Sequence, residues 1–262
     1  MRRVTATLPV LLGLITGPAA AQDAVPPLPV PLRALAPQWL QPITVIAGFG
    51  YPPNSADRRR WPALLTGRDF ALIEQEFDAL KAHVTRDIRN ESLLYDSCLG
   101  LEDAHPALSP AFHAWVAQWP KSSNAVAARA QFRLGRALSA RGTRFVRDTP
   151  QLQLDSMAVL AKAAWTDAMA VLARDSTHYC AYSVLLAVGR IAGDSLTKQT
   201  VIDRALRLCP GTYFMRDLFM YTLEPRWGGS WNAMQAFADA AAPYQELNPR
   251  LRNLRGHVFA AR

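Results

Sequence analysis

The chain lacks the sequence patterns of the common catalytic and metal-binding sites. Its five histidines form no H-E-x-x-H pair, its three cysteines form no C-x-x-C pair, and neither a phosphate-binding loop nor a dinucleotide-binding glycine pattern occurs. The segment Gly228–Asn232 begins like the nucleophile elbow of serine hydrolases, but Asn232 replaces the final glycine and no strand precedes it. The sequence therefore predicts no catalytic residue, no metal ligand and no cofactor, and it disfavours an enzyme.

Long apolar runs are also scarce, and the one at the N-terminus is short. Arg2 and Arg3 precede an apolar core of about ten residues, and small residues follow up to Ala21. A membrane span needs about twenty apolar residues, so this pattern predicts a signal peptide over residues 1–21, cleaved between Ala21 and Gln22. An uncleaved N-terminal anchor is the alternative. No cysteine follows the cleavage site and no second long apolar stretch occurs, so we expect a periplasmic or secreted bacterial protein without a stable membrane anchor after cleavage.

The chain is basic overall, but its basic residues are scattered along the sequence. The formal net charge of +8 includes Arg2 and Arg3, and the only run of basic residues is Arg58 to Arg60. Such a short run is typical of a solvated loop, and the glycine-aromatic RNA motifs and basic helices of nucleic-acid-binding proteins are missing. We therefore expect no nucleic-acid partner.

The distribution of proline divides the mature chain. Eight of the nineteen prolines lie between Pro26 and Pro53, so residues 22–60 are predicted to be extended and irregular. From residue 61 onward the apolar residues recur at helical spacing, most regularly from Met157 to Leu172, and no run alternates with a period of two. The sequence thus predicts an all-α domain over residues 61–262.

One offset within this domain suggests a repeat. Residues 172–179 align with residues 206–213 at an offset of 34, with leucine at the first position and tyrosine at the last. Thirty-four residues is the period of tetratricopeptide (TPR) units, each a pair of antiparallel helices. The prediction is therefore a TPR-like array of antiparallel helix pairs, an α-α superhelix, with chance similarity among helix ends as the alternative.

The three cysteines cannot all pair within one chain, although thiols outside the cytoplasm tend to do so. Cys180 begins one predicted helix of a hairpin and Cys209 ends the other, which brings them to neighbouring positions. We therefore predict a Cys180–Cys209 disulfide with Cys98 as a buried thiol. The alternative is that all three are small buried hydrophobic residues.

The segment Leu223–Met234, followed by Phe237 and Ala238, contains the pattern P-R-W-G-G-S. It resembles an uncharacterised bacterial family described as domain of unknown function 4034, and the resemblance extends over residues 62–245. It implies a TPR-like fold but no activity. This chain has Cys209 before Pro210, where the family usually has aspartate.

The P-R-W-G-G-S segment also has a direct physical interpretation as a corner between two helices. Pro225 ends the preceding helix, the two glycines permit a tight turn, and Ser230 caps the next helix. Arg226, Trp227 and Trp231 are the candidate binding residues, although a purely structural corner is the alternative.

These observations predict an exported helical-repeat protein that binds a protein or peptide partner as a scaffold in the bacterial envelope. The helices around residues 129–136 and 179–190 are expected to line its groove. Two alternatives stay open: an envelope enzyme that acts on glycan or peptide through carboxylates assembled by the fold, and a secreted factor that acts on other cells.

Overall fold

The computed structural model describes residues 60–102, 105–193 and 195–260. The predicted signal peptide with its Ala21–Gln22 cleavage site, and the Pro-rich segment as far as residue 59, lie outside these residues. Within the described ranges the chain forms eleven α-helices and no strand, which confirms the all-α prediction.

The helices follow one another with short connections. In chain order they are α1 (Arg60–Gly67), α2 (Phe70–Arg86), α3 (Glu91–Glu102), α4 (Ser109–Gln118), α5 (Ser123–Arg141), α6 (Gln151–Arg174), α7 (Tyr179–Ala192), α8 (Ser195–Leu208), α9 (Phe214–Thr222), α10 (Trp231–Asp239) and α11 (Asn253–Ala260). Short 3₁₀ helices lie between several of them, including Pro225–Trp227 and Pro249–Arg252. The TPR-like repeat register stays a prediction.

The main hydrophobic core extends from α1 to α9, with α7 near its centre. Nearly every side chain of α7 between Tyr179 and Gly189 is buried, and α7 packs against α3, α5, α6, α8 and α9. Helix α7 and the segment 129–136 of α5 are the residues predicted above to line an open groove. Because α7 is apolar on all sides, it is instead enclosed by its neighbours.

Two arginines of α5 are also bound to another helix within the fold. Arg129 and Arg133 both bind Asp167 of α6, with nitrogen–oxygen distances of 2.8 Å and 2.7 Å. Asp167 is buried, so this pairing supplies the counter-charges that an ionised carboxylate needs there. The two arginines thus join α5 to α6 rather than forming a groove.

Helix α6, with 24 residues, is long and apolar enough to cross a membrane by length and composition alone. The sequence analysis expected no second span. From Ala161 onward, α6 buries Ala161, Ala164, Ala168 and Leu172 against the core, and Asp167 is held there by arginines. Only 33% of the most apolar stretch of α6 is buried, and Leu152 and Val159 nearer its N-terminus are exposed.

The structure corrects the predicted disulfide. Cys98 of α3 pairs with Cys180 of α7, with a Cα–Cα distance of 5.6 Å, whereas Cys209 is a free, half-buried thiol. Cys180 does lie at the start of α7, as predicted, but its side chain faces α3 rather than the end of α8. The hairpin argument located the helix ends and did not determine which face of α7 carries the sulfur.

A smaller second core cluster lies at the C-terminal end. It contains Met220 from α9, Met234 and Ala238 from α10, and Leu254 and Val258 from α11. Helix α9 contributes to both cores, because Phe219 belongs to the main core and Met220 to the second. The C-terminal helices are therefore joined to the rest of the protein largely through α9.

Candidate ligand-binding pocket

The N-terminus of α9 is fixed by a buried carboxylate that lies 121 positions before Thr212 in the chain. Glu91 of α3 has no exposed surface, and it accepts hydrogen bonds from the hydroxyl of Thr212 and the backbone N–H of Tyr213, both at 2.7 Å. The side-chain amide of Asn248 donates to it at 2.8 Å. An anion at a helix N-terminus is stabilised by the unpaired N–H groups there.

Burial nonetheless has the larger effect on Glu91 and raises the pKa of its carboxyl group. The hydrogen bonds that it accepts act in the opposite direction; the donors are Thr212, Tyr213, Phe214 and Tyr179. Glu91 thus connects α3 to α9 and to the turn that contains Asn248. It fixes the position of the helix that carries most of the pocket described next.

A pocket of about 820 Å³ opens between α9, the Pro225–Trp227 turn, the start of α10, and α11. We call it the His257 pocket, and its chemistry comes from six side chains: Asp217, Tyr221, Glu224, Arg226, Trp231 and His257. Its volume lies within the range of about 300–1,000 Å³ that is usual for small-ligand sites. Charged, aromatic and hydroxyl groups thus surround one concave space.

An aspartate–histidine pair lies in this pocket. Nδ1 of His257 is 3.0 Å from Oδ1 of Asp217, and both side chains are mostly buried, with exposed fractions of 12% and 18%. An ionised carboxylate can only accept a hydrogen bond, so Nδ1 donates to it. Nε2 of His257 then lies 3.9 Å from Oε1 of Glu224, and the ring of Tyr221 packs edge-on against the imidazole.

The second carboxylate is paired on one side. Glu224 is buried and its Oε2 forms an ion pair with Nε of the largely exposed Arg226. Arg226 therefore already binds a carboxylate of its own turn. Trp227 has a different environment, because it lies outside the pocket and the guanidinium group of Arg190 sits 6.0 Å from its ring centroid.

The pKa values of two phenols reflect the electrostatics of the pocket. Burial and the neighbouring Asp217 raise the pKa of Tyr213 to about 12, and its hydroxyl lies 3.4 Å from Oδ1 of Asp217. Burial likewise raises the pKa of Tyr221, with further contributions from Asp217 and Glu224. Both phenols therefore stay protonated at neutral pH, in surroundings where negative charge prevails.

The turn before α10 determines how Arg226 and Trp231 reach the pocket. Gly228 has a φ of +87°, the left-handed region that favours glycine, whereas Gly229 is needed because an added Cβ would lie 1.9 Å from the carbonyl oxygen of Leu223. The hydroxyl of Ser230 accepts a hydrogen bond from the N–H of Ala233 at 3.1 Å, which confirms the predicted cap. Trp231 follows at once, on the wall of the pocket.

Of the residues singled out from the sequence, Arg226 and Trp231 thus meet in one pocket and Trp227 does not. Sequence reasoning missed Asp217, Glu224 and His257. A signal for Asp217 was present, because Tyr213, Asp217 and Tyr221 recur at a spacing of four residues, which is one face of a helix, whereas Glu224 lies beyond the end of α9. Nothing in the sequence indicated that His257 of α11 would meet this face.

A second pocket, of about 500 Å³, lies near the start of α5. Its carboxylates are bound within the protein: Glu74 accepts hydrogen bonds from Trp115 and Asn124, and Lys81 lies 3.1 Å from Asp78. The His257 pocket, which combines open acceptors with aromatic walls, is the better candidate for a ligand site.

Comparison of the chain with models of known protein families, with curated proteins and with solved structures finds no match. The resemblance of the P-R-W-G-G-S segment to the domain of unknown function 4034 family therefore stays a prediction. Among the described residues, no group of three or more histidine, cysteine, aspartate or glutamate side chains is arranged to hold a metal ion.

Proposed function

We propose that this chain is an exported, TPR-like helical protein that binds a polypeptide partner in the bacterial envelope, and that a segment of the partner docks in the His257 pocket. The observation that carries the proposal is the convergence of Arg226 and Trp231 with Asp217, Glu224 and His257 around one pocket. Arginine and tryptophan contribute disproportionately to binding energy at protein interfaces.

The dimensions and composition of the pocket suit an inserted side chain. Its volume of about 820 Å³ exceeds that of any single residue, and the aromatic ring of Trp231 lies beside charged groups that can orient a bound group. Export is supported by the N-terminal sequence pattern, and the Cys98–Cys180 disulfide is compatible with an oxidising compartment.

Gly256 offers a direct test, because it lines the pocket and an added Cβ there would meet no atom within 4 Å. Gly256→Phe should fill the entrance without disturbing the core. Gly67→Phe is the matched control, since Gly67 at the end of α1 is also exposed and equally open. The two variants add the same aromatic group at different ends of the fold.

Binding is measured with a library of short fluorescent peptides of random sequence and the chain purified after export. We expect a subset of peptides to bind, Gly256→Phe to weaken their binding at least about tenfold, and Gly67→Phe to leave it unchanged. If no peptide binds, or if Gly256→Phe binds as tightly as the parent chain, the proposed function is wrong.

One observation favours a second candidate, the envelope enzyme. The hydrogen bond from Nδ1 of His257 to Asp217 orients the imidazole so that Nε2 faces the pocket and can accept a proton. A histidine held in this way can activate a water molecule for hydrolysis of a peptide or glycan. Turnover of such substrates, reduced about 100-fold or more by His257→Gln and unaffected by Gly67→Phe, would establish it.

A further inference from the structure

The pocket has carboxylate oxygens that no described residue satisfies. Asp217 accepts its hydrogen bonds through Oδ1, and Glu224 binds Arg226 through Oε2. This leaves Oδ2 of Asp217, which accepts no hydrogen bond from any residue that the structure describes, and Oε1 of Glu224, which lies 3.9 Å from Nε2 of His257, beyond hydrogen-bond distance. Carboxylate oxygens can each accept more than one hydrogen bond, so these two atoms are available to a ligand that donates.

The negative charge of the pocket favours a hydrogen-bond donor that is a cation. Leaving His257 aside, two carboxylates face one guanidinium group, a net charge of −1 in a chain whose formal net charge is +8. Burial raises the pKa values of the phenols of Tyr213 and Tyr221, and the nearby carboxylates add to this shift. An acidic pocket on a basic protein attracts a cation locally, while the rest of the surface disfavours cationic ligands that cannot enter it.

The walls of the pocket suit a cation carried on a hydrocarbon stem. Trp231 and Tyr221 both line it, and aromatic rings attract ammonium and guanidinium groups as well as packing against methylene chains. Lysine and arginine side chains combine such a stem with several donors at its end.

We propose that the His257 pocket recognises the side chain of a lysine or arginine in a partner peptide, whose charged end donates hydrogen bonds to Asp217 and Glu224. This inference rests on the proposed peptide-binding function and names the residue that the pocket selects. Arg226 holds one oxygen of Glu224 and directs the other inward, so its role is to position the acceptor.

The test uses peptides of one fixed sequence in which the central residue is lysine, arginine, Nε-acetyl-lysine or norleucine. Binding is followed through the NMR shift of the His257 imidazole, which reports the pocket itself. Lysine and arginine peptides should bind about tenfold to a hundredfold more tightly than the acetylated and norleucine forms, as expected for charge-assisted hydrogen bonds. Equal binding of all four would overturn the cation assignment and leave the peptide-binding function in place, whereas binding of none would contradict both.

Matched variants locate the effect. Asp217→Asn and Glu224→Gln should each remove most of the preference for lysine over acetyl-lysine, with folding verified by circular dichroism. Asp203→Asn removes the same charge from the exposed face of α8 and should leave the preference unchanged. Spermidine serves as a free amine, and if it displaced the lysine peptide at equal concentration, the assignment to a peptide side chain would be wrong.

Discussion

Removal of the Cys98–Cys180 disulfide should destabilise the protein more than any single substitution on its surface. The bond joins residues separated by 82 positions, and closing a loop of this length in the unfolded chain corresponds to about 4.5 kcal/mol at 25 °C in the chain-entropy model. Native disulfides contribute about 2–5 kcal/mol in practice, so we expect the Cys98→Ala/Cys180→Ala double variant to lose about 3–5 kcal/mol. For a chain of this size the loss corresponds to a decrease of roughly 6–20 °C in Tm.

The assay is equilibrium unfolding in urea, followed by far-ultraviolet circular dichroism, with Cys209→Ala as the control. Cys209 forms no disulfide in the structure, so its removal should cost about 1 kcal/mol or less. Mass spectrometry of non-reduced peptides should join the peptides that contain Cys98 and Cys180. The reasoning is refuted if Cys209→Ala destabilises as much as the double variant, or if a Cys180–Cys209 peptide is found.

Three further perturbations test other parts of the structure. Glu91→Ala leaves the donors at the start of α9 without their acceptor and should cost about 3–5 kcal/mol in urea unfolding, whereas Glu91→Gln, which keeps one carbonyl acceptor, should cost less. Gly229→Ala forces a Cβ against the Leu223 carbonyl and should lower Tm by an amount equivalent to about 1–3 kcal/mol, while Gly256→Ala should be neutral or stabilising by up to about 1 kcal/mol. Burial lowers the pKa of His178 to about 4, so its contribution to the free energy of unfolding should fall by roughly 3 kcal/mol as pH decreases from 6.5 to 4, and His178→Gln should abolish this part of the pH dependence.

Each of these has a clear contrary outcome. Equal stability of Glu91→Ala and the parent chain would mean that α9 does not depend on this carboxylate. A Gly229→Ala variant as stable as Gly256→Ala would contradict the close approach to Leu223. The free energy of unfolding decreases at lower pH because the pKa of His178 is lower in the folded than in the unfolded chain, so the unfolded chain binds the proton more tightly. A pH dependence that is unchanged in His178→Gln would show that other groups cause it.

Local signals in the sequence were sufficient for the helices but not for the contacts between them. The all-α class followed from periodicity, and Cys180, predicted to begin a helix, is the second residue of α7. Asp69 precedes α2, yet its side chain makes no capping hydrogen bond. Ser230 does make one, so residue type indicated the position of each helix start better than the bond itself.

The errors share one cause, which is that sequence spacing describes one helix at a time. The predicted disulfide depended on which face of α7 carries Cys180, and that face is set by α3, about 80 residues earlier. The pocket likewise combines Asp217 on α9 with His257 on α11, 40 positions later. No periodicity within either helix contains that information, because the contact depends on how α9, α10 and α11 pack around the second core.

The position of Cys209 has a chemical consequence for a chain with an odd number of cysteines. Burial, together with the nearby Glu91, raises the pKa of its thiol to about 11. At neutral pH about one molecule in ten thousand then carries the thiolate, the form that attacks disulfides. We therefore expect thiol–disulfide exchange with Cys98–Cys180, and cross-linking between two chains, to be slow in the folded protein. Burial is the larger cause of the raised pKa and Glu91 the smaller, so we expect a chain that lost Glu91 to be less stable and to exchange its disulfide somewhat faster.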